Sequence, residues 1–251
     1  MKIVILPDAR AVSCAVADII VQEVRRNPQA VLGLATGRTM EAIYAELCAR
    51  HKGGIAELSN ISSFNLDEYV GLSEEDPRSY HYYMRENLFS TIGIEANKGR
   101  LPKGAAHDPE QAAAEYDVAL AASGGVDMQL LGIGENGHIG FNEPLSGLST
   151  RTRVVALAKA TLEQNAKMFG GDYNNVPKQA ITMGIGTILE ARSILLVATG
   201  SAKARAVAQS VEGALSASMP GSALQLHAKC IVVLDQGAAS ELGQREASER
   251  P

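Results

Sequence analysis

The residues with the most chemistry per unit length are 134–144, GENGHIGFNEP, where a histidine, glutamates, amides and glycines crowd eleven positions closed by a proline. An imidazole titrates near neutral pH and can carry a proton in either direction. His138 stands five residues from the carboxylate of Glu143, and Asn136 is available to orient the ring. Two shorter stretches add complementary groups. TGRT (36–39) offers a glycine, an arginine and two hydroxyls between an apolar run and a helical pattern, the setting in which free helix-start N–H groups hold an anion. NLDEYVGL (65–72) sets Asp67 and Glu68 at the end of another apolar run. Each has a plainer reading: a βα turn with Thr39 as an ordinary N-cap, a solvated acidic turn, and a hydrogen-bonded structural histidine.

These loops share a placement. VLGLA (31–35) precedes TGRT, ISSFNL (61–66) precedes DEY, MQLLGI (128–133) precedes GENGH, and SILLVAT (193–199) precedes GSAK (200–203). IVIL (3–6) and KCIVVL (229–234) are further strand candidates. Helical patterns at 12–26, 40–50 and 203–213 alternate with them. Short apolar runs alternating with helices predict a three-layer α/β/α fold around a doubly wound, mostly parallel, Rossmann-like sheet. In such sheets ligands bind beyond the carboxyl ends of the strands, so four polar loops at four such ends predict one shared pocket. Residues 1–240 read as a single catalytic domain. The less regular 145–185 reads as a lid or an extra helical layer, and 241–251 as a polar, frayed tail.

Bulk properties narrow the function. A chain of 251 residues can bury a sizeable core in one domain or at most two small ones. With 23 basic and 28 acidic side chains the formal charge is −5, which argues against a nucleic-acid partner while leaving room for a small anionic ligand. No stretch has the layout of a signal peptide or the length of a membrane span, so no membrane partner is expected. Cys14, Cys48 and Cys230 are odd in number and widely spaced, predicting free thiols in a reducing cytoplasm. The five histidines lack metal-ligand spacing, and no metal or cofactor is expected. GIGENG (132–137) fits G-x-G-x-x-G, but Gly140 and Pro144 would break the helix a dinucleotide fingerprint needs, and no acidic residue lies near twenty positions on. SYHYYMRENLF (79–89) has helical spacing, and its tyrosines read as packing.

Taken together, GLATGRT, FNLDEYVGL, SYHYYMRENLF, GIGENGHIGFNEP, NNVPKQAITMGIGTILEA and the QLH at 225–227 resemble the glucosamine-6-phosphate deaminase family, within the superfamily shared with 6-phosphogluconolactonases. The resemblance runs from about residue 1 to 236. It implies conversion of D-glucosamine 6-phosphate and water to D-fructose 6-phosphate and ammonia. By position it implies Asp67 as enolisation base, and Asn136, His138 and Glu143 as the ring-opening trio. Thr36, Gly37, Arg38 and Thr39 fall on the phosphate loop, with Lys167 and Lys203 as further phosphate contacts. Many members have aspartate at the place of Asn136, and arginine is more usual at that of Lys167. The lactonase branch resembles DER and GHxASLFP instead of the DEY and GHIGFNEP found here. Galactosamine 6-phosphate as substrate and a non-catalytic sugar-phosphate sensor are the alternatives carried forward. Allosteric relatives, hexamers activated by N-acetylglucosamine 6-phosphate, keep basic and hydroxyl residues after the glutamate motif. This chain has Ser146, Arg151 and Arg153 but continues Val154-Val155-Ala156, so little activation and a monomer or small homo-oligomer are expected.

Overall fold

The computed structural model describes residues 1–243; the remainder of the expected tail, 244–251, lies outside the described residues. Ten strands are present among them: β1 (Lys2–Leu6), β2 (Val31–Leu34), β3 (Ser62–Asn65), β4 (Asp67–Tyr69), β5 (Gly99–Arg100), β6 (Met128–Leu131), β7 (Arg153–Ala156), β8 (Gln179–Thr182), β9 (Ile194–Ala198) and β10 (Cys230–Asp235). The α-helices are α1 (Ala9–Arg26), α2 (Arg38–Lys52), α3 (Tyr80–Met84), α4 (Ser90–Ile92), α5 (Pro109–Ala122), α6 (Lys159–Asn165), α7 (Ile185–Leu189) and α8 (Ala204–Val211). A π-helical turn, Arg85–Phe89, joins α3 to α4.

Seven strands form the main sheet in the order β1-β10-β9-β6-β2-β3-β5, with every pairing parallel. The central strands β2, β6 and β9 are buried at every position, as near-continuous apolar runs require when both faces are covered. Helices α1 and α2 pack on each other, and α8 packs with the 3-10 turn Pro220–Leu226, so helices cover both faces. The expected three-layer α/β/α sheet is therefore present. From β2 the chain steps to β3 and β5 in one direction, and from β6 to β9 and β10 in the other. The switch point lies between β2 and β6, and a parallel sheet of this kind opens its ligand crevice there. No described helix is long and apolar enough to cross a membrane.

A second sheet of order β4-β8-β7, antiparallel throughout, stands at the carboxyl end of the first. The irregular 145–185 stretch supplies two of its strands, with α6 and the 3-10 turns Ala166–Phe169 and Tyr173–Asn175 between them. The acidic DEY segment, which could be read as a strand-end turn, is itself strand β4. Its three residues are buried, with Asp67 paired to Thr182 and Tyr69 to Ala180.

Gly104 supports that strand from behind. A Cβ at this position would stand 2.1 Å from the Tyr69 carbonyl oxygen and 2.9 Å from Glu68 Cγ, while the Gly104 carbonyl accepts the Gly71 N–H at 2.8 Å. Gly104→Ala must push backbone aside, and overpacking of this kind costs about 1–3 kcal/mol. The expected thermal midpoint falls by about 2–4 °C per kcal/mol; an unchanged melt would show that β4 yields freely.

Candidate active site

The switch-point crevice is built from four neighbouring strand ends. At the end of β2 the chain turns through Gly37, at φ +117°, into α2, whose N-cap is Gly37 itself, with no side chain bonded over the helix start. Thr39 is thus not the cap. Helix-start N–H groups left without a capping side chain, beside Arg38, make an open anion cradle. The Thr39 hydroxyl lies 3.5 Å from that of Thr199, tying this loop to the turn after β9. That turn is set by Asp235, whose two oxygens accept the Gly200 N–H at 3.0 and 2.9 Å. It presents Lys203, half-buried; burial lowers its pKa and the Glu135 carboxylate opposes that shift.

Asp67 opens β4, beyond the end of β3. It is 6% exposed, and no hydrogen bond from the described residues offsets its charge. Burial, reinforced by the neighbouring Glu68 carboxylate, pushes its pKa up to about 8. Glu68 faces the other way and is fully buried, yet four donors hold it: the Tyr69 and Tyr80 N–H on one oxygen, the His81 N–H and Nδ1 on the other, at 2.8–3.0 Å. One carboxyl group of the pair is thus satisfied by hydrogen bonding, and the other is left without a donor.

The loop after β6 brings the histidine. A Cβ on Gly134 would stand 2.2 Å from the imidazole, so only glycine lets His138 fold back over the loop. His138 Nδ1 lies 2.7 Å from Asn136 Oδ1, and Asn136 Nδ2 donates to Glu143 Oε2 at 2.8 Å. A carboxylate only accepts, so the amide nitrogen faces Glu143 and the amide oxygen faces the ring. Nδ1 then carries the proton and Nε2 keeps its lone pair. Burial lowers the His138 pKa, the Glu143 carboxylate 3.7 Å from Nδ1 opposes this, and the Lys203 charge adds to the lowering.

The two sheets hold this loop against Asp67. The Phe141 N–H donates to Thr182 Oγ1 at 3.1 Å, and Asn142 Nδ2 donates to the carbonyls of Ile139 and Met183 at 2.9 and 2.8 Å. Arg153 Nη1 donates to Asn142 Oδ1 at 3.0 Å. A Cβ on Gly140 would be 3.4 Å from Asp67 Oδ2, so this backbone passes close to the carboxylate. On the far side the buried Tyr80 hydroxyl reaches the Tyr69 hydroxyl at 3.4 Å. Asn165 Nδ2 donates to that same Tyr69 hydroxyl at 2.8 Å. The tyrosines that spacing assigns to packing do pack, with Tyr69 and Tyr80 ring centroids 5.0 Å apart, but the Tyr69 hydroxyl also holds α6 through Asn165, and the Tyr83 hydroxyl donates to the Gly37 carbonyl of the TGRT loop at 2.9 Å.

Asn136, His138, Glu143 and Lys203 thus come together, next to Asp67 and to the TGRT loop. Lys167 is the exception: it is exposed on the 3-10 turn after α6, with no contact tying it to the cradle. Sequence spacing also passes over Thr161, which donates a hydrogen bond to Glu143 Oε1. His227 and His51 serve the scaffold, bonding the Ala191 carbonyl and the Leu58 N–H. Among the described residues no group of three or more His, Cys, Asp or Glu is arranged to hold a metal ion. The geometry offers a bare carboxylate base, an imidazole with a free nitrogen, and an anion cradle.

The family described as glucosamine-6-phosphate isomerases/6-phosphogluconolactonase matches residues 8–233, and the chain belongs to it. A glucosamine-6-phosphate deaminase of Shewanella loihica is 50% identical over 98% of this chain and 91% of its own length. One of Streptomyces coelicolor is 49% identical over 96% and 93%. A solved structure of a monomeric glucosamine-6-phosphate deaminase superposes with a TM-score of 0.93 at 42% identity, covering 96% of this chain and 100% of that one. The 6-phosphogluconolactonase of Trypanosoma brucei, at 20% identity and a TM-score of 0.78, covering 96% and 98%, shares the fold.

The bare carboxylate carries a stability signature. In the folded chain Asp67 holds its proton to about pH 8, and in the unfolded chain only to about pH 4. The folded state therefore binds more protons between these values, and stability falls as pH rises through the window. Asp67→Asn removes the titration. Its thermal midpoint is expected to exceed that of the wild type by several degrees near pH 8.5, with the margin shrinking toward pH 4.5, at about 2–4 °C per kcal/mol. A margin independent of pH would contradict the assignment.

Proposed function

We infer that this chain is a glucosamine-6-phosphate deaminase, converting D-glucosamine 6-phosphate and water to D-fructose 6-phosphate and ammonia. The observation that carries the reading is the bare, buried Asp67 carboxylate beside an imidazole whose only free nitrogen is Nε2. Relatives about half identical over nearly the whole chain carry that name, and they favour the gluco over the galacto amino sugar. The bound geometry follows from the charges. The phosphate sits on the start of α2 with Arg38, Thr36 and Thr39, and Lys203 closes on it from the turn after β9. Lys167 joins only if its segment moves, since it is exposed as it stands.

The cyclic sugar opens first. His138 Nε2 accepts the anomeric hydroxyl proton and returns it to the ring oxygen. Nδ1–H stays on Asn136, and Glu143 offsets the charge that the ring carries between the two transfers. Asp67 then takes the C2 proton, acidified by the new C1 carbonyl, leaving an enolamine. The same carboxyl returns the proton to C1. The C2 imine that results is hydrolysed, releasing ammonia and leaving the ketose. Asp67 acts from its ionised form, which grows as pH rises toward 8; once ionised it is a stronger proton acceptor than an ordinary carboxylate, which suits removal of a carbon-bound proton. The phosphate, remote from the reacting atoms, supplies binding energy for orientation. Residues 1–240 act as one catalytic unit, with the segment around α6 as its lid. Three free cysteines suit a cytoplasmic enzyme. A monomeric assembly fits the solved relative.

The reaction is tested with D-glucosamine 6-phosphate in D₂O. Ammonia and fructose 6-phosphate should form in equal amounts, with deuterium at C1. Asp67→Asn should slow turnover by about 10²–10⁴-fold, the usual contribution of a general base. A product other than ammonia, or near-wild-type turnover by the variant, would overturn the reading. The rate should rise hyperbolically with substrate and ignore N-acetylglucosamine 6-phosphate; a sigmoidal curve abolished by that sugar would contradict the unregulated monomer.

A further inference from the structure

Helix α6 is too short to stand alone: it has seven residues and no side-chain cap at its start. Its order comes from what it touches. Thr161 and Asn165 are four residues apart and share one face. Thr161, 3% exposed, donates to Glu143 Oε1, while Asn165 donates to the Tyr69 hydroxyl. One turn later Phe169 is buried edge-on against the Tyr69 ring at 5.5 Å, with the Arg78 guanidinium 5.4 Å from its centroid. A threonine in a helix commonly turns its hydroxyl back onto its own backbone. Here the hydroxyl leaves the helix for a carboxylate across the site.

That contact matters because of what holds the other oxygen. Glu143 Oε2 accepts from Asn136 Nδ2 and stands 3.7 Å from His138 Nδ1. One hydrogen bond leaves a carboxylate free to swing about its terminal torsion; a second, on the other oxygen, fixes its plane. We propose that Thr161 is the positioning residue for Glu143, so that the carboxylate facing His138 is set only while α6 is docked on the site. This rests on the deaminase reading above and deepens it. The helix is then a condition of ring opening as well as a cover. Asn165 ties the same helix to the Tyr69 hydroxyl, which also receives that of Tyr80.

Thr161→Val keeps shape and removes the donor, whereas Thr161→Ser keeps the donor. The variants are compared with the wild-type chain in ammonia release from D-glucosamine 6-phosphate. A second measurement is the binding of 2-amino-2-deoxyglucitol 6-phosphate, an open-chain analogue with no ring to open. The valine variant should lose about 10–100-fold in kcat, the range for a lost hydrogen bond to a charged acceptor. KM and the affinity for the alditol should stay within about 2-fold. The serine variant should recover most of the rate. Unchanged kcat in the valine variant, a loss that serine does not rescue, or an equal loss of alditol affinity would each overturn the role of Thr161. A wild-type chain that releases no ammonia would instead overturn the deaminase reading and this proposal with it.

Discussion

Burying Asp67 without a donor is the constraint on which the rest of the site depends. A lone carboxylate at 6% exposure is costly in a folded chain, and it holds its place because neighbouring elements are fixed independently of it. Pairing to Thr182 sets its backbone, and Gly104 backs the strand. Its neighbour Glu68 takes four donors and anchors the strand to the start of α3. Two adjacent carboxyl groups thereby acquire opposite characters: Glu68 is tied into the scaffold by hydrogen bonds, and Asp67 is left with a raised proton affinity.

The second feature is an amide placed between the imidazole and the carboxylate. Asn136 accepts from His138 with its oxygen and donates to Glu143 with its nitrogen, so one residue orders both partners. An aspartate in the same place would accept from the ring but would face Glu143 as a like charge. The amide withholds negative charge from the imidazole, leaving Glu143 at 3.7 Å as the anion that opposes the effect of burial. Neutral His138 with a free Nε2 is the state that can begin by accepting a proton.

Much of this was legible in the sequence. The six apolar runs are six strands of the main sheet: the central ones are apolar because both faces are covered, while β1, at the edge, is apolar but largely exposed. The loops that follow β2, β3, β6 and β9 meet because parallel strands end on one side. The small sheet was not legible: β4 has three residues, and β7 and β8 lie in a stretch with no clean alternation, so neither length nor period marks them. Helix α5 passes unnoticed for a related reason, since alanine fills both its faces. Thr161 carries no local signal at all. It lies eighteen residues beyond Glu143, and only the folding of α6 across the site brings the two together. Lys167 shows the converse, a position suggested by resemblance whose side chain stands in solvent.

The account is tested most directly by titrating Asp67 itself. With ¹³C at the aspartate carboxyl carbons, the Asp67 resonance is the one that disappears in Asp67→Asn, and its shift can be followed against pH in the unliganded chain. A midpoint near 8 is predicted, well separated from the other aspartates. A midpoint near 4, the ordinary value for an exposed aspartate, would contradict the claim that this carboxylate is kept bare to serve as a base.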